Sequence, residues 1–134
     1  MFDAKRFELR IPMRWGDMDA LGHVNNTVYF RYLEETRVSW LRLAGWIDLR
    51  PAEQAALAHV SCDFVRSLVY PGELLVRQEV VKVGRSSANF AYQMTRIDEP
   101  GVVYARAKAV LVWTDVATGK SVPIPDHLRA PISV

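Results

Sequence analysis

Residues 17–26 read DMDALGHVNN and lead directly into Thr27–Ala44, where the apolar residues recur with the 3.6-residue period of a helix. The ten residues hold two carboxylates, one imidazole and two side-chain amides, a density of polar groups that is costly to bury in a small domain. They stand just before a helix start, where backbone N–H groups lack partners within the helix. We therefore predict that the chemistry of this chain is concentrated at this junction.

The helical segment has a wide apolar face. At 100° per residue its apolar side carries Tyr29, Tyr32, Leu33, Thr36, Trp40, Leu43 and Ala44, flanked by Phe30 and Leu41. This arc covers about half the circumference, which is wider than the stripe of a helix lying on one surface, so we expect the helix to be enclosed. Asn25 or Asn26 suits the N-cap, and Gly45 suits the residue that ends the helix.

Five further segments have the alternation or the bounded apolar runs of β-strands. We predict strands over Phe7–Trp15, His59–Leu68, Glu73–Val83, Ser87–Ile97 and Val102–Thr114, followed by an irregular tail from Val116. Pro12 cannot donate a ladder hydrogen bond, which predicts an edge position or an irregularity in the first strand. Alanines at 105, 107 and 109 on one face of the last strand leave room for a helix to approach closely. The order predicts an α+β domain, with a mostly antiparallel sheet curled around one long helix.

Composition narrows the classes of function. The net charge of +2 is small and the basic residues are dispersed, which argues against a nucleic-acid partner. Cys62 is the single cysteine, so no intrachain disulfide can form. The N-terminus lacks the apolar run of a signal peptide, and no segment approaches the roughly 20 apolar residues of a membrane span. We expect one domain over residues 1–134, located in the cytoplasm and without a membrane partner.

The junction and its helix resemble the hotdog-fold thioesterases, in particular the branch similar to 4-hydroxybenzoyl-CoA thioesterase. The resemblance covers nearly the whole chain and is carried by Asp17-x-Asp19-x-x-Gly22-His23-Val24-Asn25-Asn26-x-x-Tyr29-Phe30-x-Tyr32-Leu33-Glu34. Weaker matches are Tyr70-Pro71-Gly72-Glu73 and Val83-Gly84-Arg85-Ser86-Ser87. The resemblance implies a hotdog fold, in which a five-stranded antiparallel sheet wraps around the central helix. It also implies homodimers, often paired into tetramers, with active sites between subunits.

The same resemblance implies roles for individual residues in hydrolysis of an acyl-CoA thioester. Asp19 maps to the catalytic carboxylate, which acts as a nucleophile or as a general base on water. A backbone amide at the helix start, near Asn25 and Asn26, would polarise the thioester carbonyl. The segment that lines the path of CoA, usually from the partner subunit, resembles Arg85, Ser86 and Ser87.

The neighbouring polar residues admit plainer interpretations. Asp17 is interpreted as a turn or hydrogen-bonding residue, and His23 as either a general base or a histidine that orients the loop. Asn25 and Asn26 are interpreted as cap and loop-locking residues that act mainly through their backbone. Asp17, Asp19 and His23 are chemically adequate metal ligands, but the sequence holds no second ligand cluster. We therefore predict neither a metal nor a cofactor.

Three functions stay open on the sequence. Thioester hydrolysis leads, because the paired aspartates stand directly before the helix. A hotdog hydratase or dehydratase would instead use His23 and an acid as its proton-transfer pair. A binding module for acyl-CoA or acyl-carrier protein would not need a carboxylate at the carbonyl. Plant-type acyl-carrier-protein thioesterases carry an asparagine where this chain has Leu21, which favours the route through Asp19.

Overall fold

The structure is a computed structural model that describes residues 1–133, so Val134, the last residue of the expected domain, lies outside it. The elements follow in the order β1 (Arg6–Pro12), a 3₁₀ turn (Trp15–Asp17), α1 (Asn26–Leu43), β2 (Glu53–Phe64), β3 (Glu73–Val83), β4 (Ser87–Arg96), β5 (Glu99–Asp115), α2 (Asp126–Arg129) and a second 3₁₀ turn (Ala130–Ile132). All five strands join one antiparallel sheet in the order β1-β3-β4-β5-β2. The expected α+β class and five-stranded antiparallel sheet are confirmed. Neither helix is long and apolar enough to cross a membrane.

The two edge strands differ in how they are protected. β1 ends at Pro12, which lies opposite Glu73 of β3, so the edge position predicted from this proline is confirmed. β2, the other edge, is twelve residues long and contains no proline. Its inward-facing Leu57 and Phe64 are 43% and 41% exposed. A long edge strand that carries exposed apolar side chains is open to pairing with another chain.

Helix α1 is fixed at both ends by the residues expected to do so. Oδ1 of Asn25 accepts a hydrogen bond from the Thr27 amide at 2.9 Å, which makes Asn25 the N-cap. Gly45 has a φ of 78°, the left-handed conformation that glycine adopts after a helix. Leu43 was expected on the buried face, but it is 57% exposed and borders a surface groove in the last helical turn.

Trp40 joins α1 to the centre of the sheet. Its ring lies 5.0 Å from that of Phe90 on β4 and 5.2 Å from that of Trp46, and its Nε1 donates to the Ala4 carbonyl at 2.8 Å. Phe90 stands directly opposite Ala109 of β5 in the strand register. The small residues of β5 thus make room for the large inward side chains of β4, which contact the helix.

Several predicted boundaries are corrected. β2 covers Glu53–Phe64 instead of His59–Leu68, because an irregularity between Leu57 and His59 interrupts the alternation on which the prediction depended. β5 begins at Glu99 instead of Val102, and its pairing with β4 is irregular near that end.

The predicted ends of the chain also change. The chain leaves β1 after Pro12 and enters a 3₁₀ turn, so Trp15 is 74% exposed and does not continue the buried face of the strand. The tail from Val116 is not wholly irregular, since Asp126–Arg129 form the short helix α2. The expectation of a single helix is therefore only partly correct.

We expect Trp40→Ala to lower the free energy of unfolding by about 3–5 kcal/mol, because it removes a fully buried ring and a buried hydrogen bond. Leu43→Ala in the same helix is the matched control and should cost less than about 0.5 kcal/mol. Urea denaturation at neutral pH measures both changes. Equal losses in the two variants would show that Trp40 does not hold the helix to the sheet.

Candidate active site

Asp17 ties the loop before α1 to the helix itself. Its Oδ2 accepts hydrogen bonds from the Tyr32 hydroxyl at 2.7 Å and from the Arg14 amide at 2.9 Å. Its backbone carbonyl accepts from the Asn25 amide at 3.0 Å. Burial, and the bond to the Asp17 carboxylate, raise the pKa of Tyr32 well above its usual value, so this hydroxyl stays protonated. Asp17 therefore closes the loop through hydrogen bonds.

Asp19 is held at the tip of the same loop with both carboxylate oxygens engaged. Oδ1 accepts from the Leu21 amide at 2.9 Å, and Oδ2 accepts from Nδ2 of Asn25 at 3.0 Å. The backbone folds back on itself, since the Asp19 amide donates to the His23 carbonyl at 3.0 Å. Gly22, with a φ of 81°, supplies the left-handed residue that so tight a loop requires. In the single protomer Asp19 is exposed to solvent.

The start of α1 leaves one backbone amide free next to Asn25, the residue that bonds this carboxylate. The Asn25 amide donates to Asp17, and the amides of Thr27 and Val28 donate to Asn25. Within residues 1–133 the Asn26 amide has no such partner. It lies at the positive end of an 18-residue helix, where N–H groups attract a developing negative charge.

The other residues of the loop do not join this network through their side chains. His23 and Asn26 are exposed, and in the part of the chain that the structure describes neither side chain bonds to Asp17 or Asp19. The described residues hold no group of three His, Cys, Asp or Glu side chains arranged to bind a metal ion. Asp17 and Asp19 instead use their oxygens for the hydrogen bonds that shape the loop.

Two grooves run along the first half of α1. The groove on the β1 side encloses about 740 Å³ and is lined in part by Arg14, Asp17 and Tyr32. The groove on the β2 side encloses about 250 Å³ and extends from Thr27 to Arg37, with Leu57 on its strand side. A third groove, of about 540 Å³, lies on the outer face of the sheet, away from the helix. Of these three grooves, only the first is lined by an aspartate of the loop, Asp17, and the second begins at Thr27 in the first turn of α1.

The residues expected to contact CoA lie far from this loop. Arg85, Ser86 and Ser87 form the turn that joins β3 to β4. β3 starts beside the loop, because the Met13 amide donates to the Gly72 carbonyl, and runs eleven residues away from it. At a rise of about 3.3 Å per residue, the eleven residues of β3 span about 36 Å, so the turn lies at the end of this strand that is remote from the aspartates. One protomer therefore does not bring the two sets of predicted residues together.

Comparison with known proteins shows the family. A family model described as the thioesterase-like superfamily matches residues 13–132. The chain belongs to the thioesterase-like superfamily. The expected class, a hotdog-fold thioester hydrolase, is confirmed.

Several relatives resemble this superfamily member along most of their length. A solved structure of the PA2801 protein of Pseudomonas aeruginosa, a proposed thioesterase, superposes with a TM-score of 0.89 at 36% identity over 94% of this chain and 97% of that one. A proposed acyl-CoA thioesterase of Xanthomonas campestris gives a TM-score of 0.76 at 36% identity, covering 86% and 98% of the two chains. The long-chain acyl-CoA thioesterase FadM of Escherichia coli is 24% identical over 91% of this chain and 93% of its own.

Two tyrosines of the quoted motif, Tyr29 and Tyr32, hold the site of this superfamily member together through hydroxyl bonds that the sequence did not predict. Tyr32 bonds Asp17, and the Tyr29 hydroxyl donates to the Arg66 carbonyl and accepts from the Leu68 amide, both at 3.0 Å. Both residues were assigned to the buried helix face, which is correct for their rings. Their hydroxyl partners lie in loops whose path the sequence does not reveal, so periodicity gave no signal for them.

A buried polar cluster between α1 and the sheet was missed as well. Arg37, Gln78 and Tyr92 are 8%, 2% and 4% exposed, and Nη1 of Arg37 has no hydrogen-bond partner among residues 1–133. Burial raises the pKa of Tyr92, and the neighbouring Arg37 guanidinium offsets part of that rise. Oε1 of Gln78 and the Tyr92 hydroxyl lack partners as well, so the described residues leave three polar groups of this cluster buried without hydrogen bonds, which is costly.

We expect Tyr32→Phe to lower the free energy of unfolding by about 1–2 kcal/mol at pH 7, because Asp17 loses a buried donor. The folded-state pKa of Tyr32 lies above the unfolded value near 10, so its contribution is complete below about pH 10 and is lost as the pH rises further. Urea denaturation between pH 7 and 11 should show the difference from wild type narrowing only at the alkaline end. The exposed Tyr70, changed to Phe, is the control, and an equal cost there would contradict this role for Tyr32.

Proposed function

We propose that this chain hydrolyses acyl-CoA thioesters to the free acid and CoA, with Asp19 as nucleophile or general base. The observation that carries the proposal is the hydrogen bond from Nδ2 of Asn25 to the Asp19 carboxylate, made by the residue that caps α1. It fixes an acid beside the positive end of a long helix. Thioester hydrolysis needs a base or nucleophile next to a donor for the developing oxyanion, and this junction supplies both.

The free amide of Asn26 is the donor that we assign to the thioester carbonyl. A donor already in place at the helix start needs no rearrangement as negative charge develops on the carbonyl oxygen. One such donor is worth roughly 3–4 kcal/mol in other enzymes. Asp19 either attacks the carbonyl carbon, which gives a mixed anhydride that water cleaves, or takes a proton from an attacking water. In both routes the thiolate of CoA leaves.

We assign the CoA moiety to the turn that contains Arg85, Ser86 and Ser87, supplied by a second copy of the chain. The turn lies at the end of β3 remote from the aspartates of the same protomer, so we assign to each thioester the turn of a partner. In a two-fold dimer, two β2 edges that pair antiparallel place one end of the first protomer beside the opposite end of the second. The names of FadM and of the Xanthomonas campestris protein support an acyl-CoA substrate.

The same pairing accounts for features that one protomer leaves unsatisfied. The partner would cover the exposed apolar residues of β2, among them Leu57 and Phe64, and complete the hydrogen bonds of that edge. It would also close the groove between α1 and β2. We therefore propose a homodimer, or a tetramer built from two such dimers.

We expect Asp19→Asn to lower kcat for acyl-CoA hydrolysis by at least about 100-fold, because the amide is neither an effective base nor a nucleophile. Release of CoA from C4 to C16 acyl-CoAs and from aryl-CoAs, followed with a thiol reagent, gives the measurement. The exposed Asp126, changed to Asn, is the charge-matched control and should retain wild-type activity. Full activity of folded Asp19→Asn would overturn the assignment, and CoA binding without turnover by the wild type would favour a binding module.

A second variant separates the position of Asp19 from its chemistry. Asn25→Ser keeps a good helix cap but removes the amide that donates to Asp19. We expect kcat to fall by about tenfold, while the free energy of unfolding changes by less than about 1 kcal/mol. Unchanged kcat would show that the bond between Asn25 and Asp19 does not position the acid.

The dimer has its own test. Leu57→Lys places a charge on the β2 edge and should shift the protein from dimer to monomer in analytical ultracentrifugation, with loss of acyl-CoA hydrolysis. Leu43→Lys, on a leucine of α1 that is 57% exposed, is the control and should stay dimeric and active. A monomeric wild type with full activity would contradict a site shared between protomers.

A further inference from the structure

The turn between β3 and β4 is held from its inner side by the C-terminal segment. Nη2 of Arg129 donates to the carbonyl oxygens of Gly84 at 2.5 Å and of Arg85 at 2.7 Å. The Arg85 carbonyl also accepts from the Ile124 amide at 3.0 Å. Arg129 belongs to α2, which is fixed to the core because its neighbour Leu128 is buried. A single side chain thus connects two peptide groups of the turn to the body of the protein.

The two remaining carbonyl groups of the turn also accept hydrogen bonds from within the protein. The Ser86 carbonyl accepts from the Trp113 amide at 2.7 Å, and the Ser87 carbonyl accepts from the Gly84 amide at 2.7 Å. The turn is also tight, since a Cβ on Gly84 would come within 2.8 Å of Oγ of Ser87. All four carbonyl oxygens from Gly84 to Ser87 therefore have donors inside the protein.

Two backbone donors of the turn have no acceptor in the described part of the chain. Within the described residues the amides of Arg85 and Ser86 donate no hydrogen bond, and the Arg85 side chain is exposed. Nη1 of Arg85 donates to Oγ of Ser86 at 3.1 Å, which groups the guanidinium with the hydroxyl. Successive free amides beside a guanidinium and hydroxyls are a set of donors suited to phosphate oxygens.

We propose that Arg129 is a positioning residue for CoA: it keeps the Gly84 and Arg85 carbonyls turned inward, so that the amides and side chains of the turn face the CoA phosphates. This inference rests on the proposed function, in which the turn binds CoA. Without Arg129 the Gly84 carbonyl loses the donor that the structure gives it, and the peptide is free to rotate. Rotation would direct a carbonyl oxygen at the phosphates in place of an amide, which weakens binding by repulsion.

The test compares a substrate that has the nucleotide with one that lacks it. In Arg129→Met we expect the Kd for CoA and the KM for acyl-CoA to rise about tenfold, the loss expected for a hydrogen bond to a charged group. We expect kcat to stay within about twofold of wild type. With the same acyl group on N-acetylcysteamine, kcat/KM should not change, because that thioester carries no phosphates. Arg129→Lys keeps a cationic donor and should restore most of the CoA affinity.

Controls make each outcome decisive. Lys120→Met removes an exposed cation from the same C-terminal region and should leave both substrates unaffected. An equal loss of kcat/KM with both thioesters, or an unchanged Kd for CoA, in Arg129→Met would overturn the proposal. If Arg129→Met does not fold, the Kd for CoA is compared among wild type, Arg129→Lys and Arg129→Gln, each measured at the same interval below its own thermal midpoint. Equal Kd values in the three proteins would overturn the proposal.

The failure of this inference differs from the failure of the proposed function. Kd for CoA is measured without turnover, so inactive enzyme does not obscure it. Loss of CoA affinity in Arg129→Met together with full activity of Asp19→Asn would contradict the assigned acid and leave Arg129 as a positioning residue. A wild-type protein that binds no CoA would overturn both.

Discussion

Asn25 occupies the position on which the candidate site depends. Its Oδ1 caps the first turn of α1 through Thr27, and its Nδ2 donates to Asp19. Because one amide group makes both bonds, the helix cannot begin at this residue without also fixing the carboxylate. Capping is worth about 1 kcal/mol to the helix, so a requirement of folding also supplies the geometry of the site.

Contacts further along α1 connect this junction to the sheet. Tyr32, nearly two turns into the helix, bonds Asp17 at the other end of the loop, so loop and helix are joined twice. Trp40, two turns further, secures the helix against Phe90 on a central strand. The loop that carries the acid is therefore tied by hydrogen bonds to a helix that is packed on the sheet.

The sequence predicted the elements well wherever one residue type decides the local structure. Asn25 as cap, Gly45 after the helix and Pro12 at an edge each follow from the chemistry of a single residue, and each is confirmed. The strand bounds predicted from periodicity were wrong near Leu57, where a register irregularity shifts the alternation of β2. They were also wrong at Trp15, where the chain turns away from the sheet after β1. The hydroxyl partners of Tyr29 and the contacts of Arg129 depend on tertiary packing, for which a sequence pattern holds no signal.

The central claim is that one acid and one helix amide act on a thioester whose CoA is held by the partner subunit. A crystal structure with an acyl-CoA analogue, in which a ketone replaces the thioester carbonyl, tests this claim most directly. The account predicts the ketone oxygen within about 3.2 Å of the Asn26 amide, next to Asp19, and the CoA phosphates at the Arg85 turn of the other protomer. An analogue bound instead in the groove on the outer face of the sheet, away from Asp19, would contradict it.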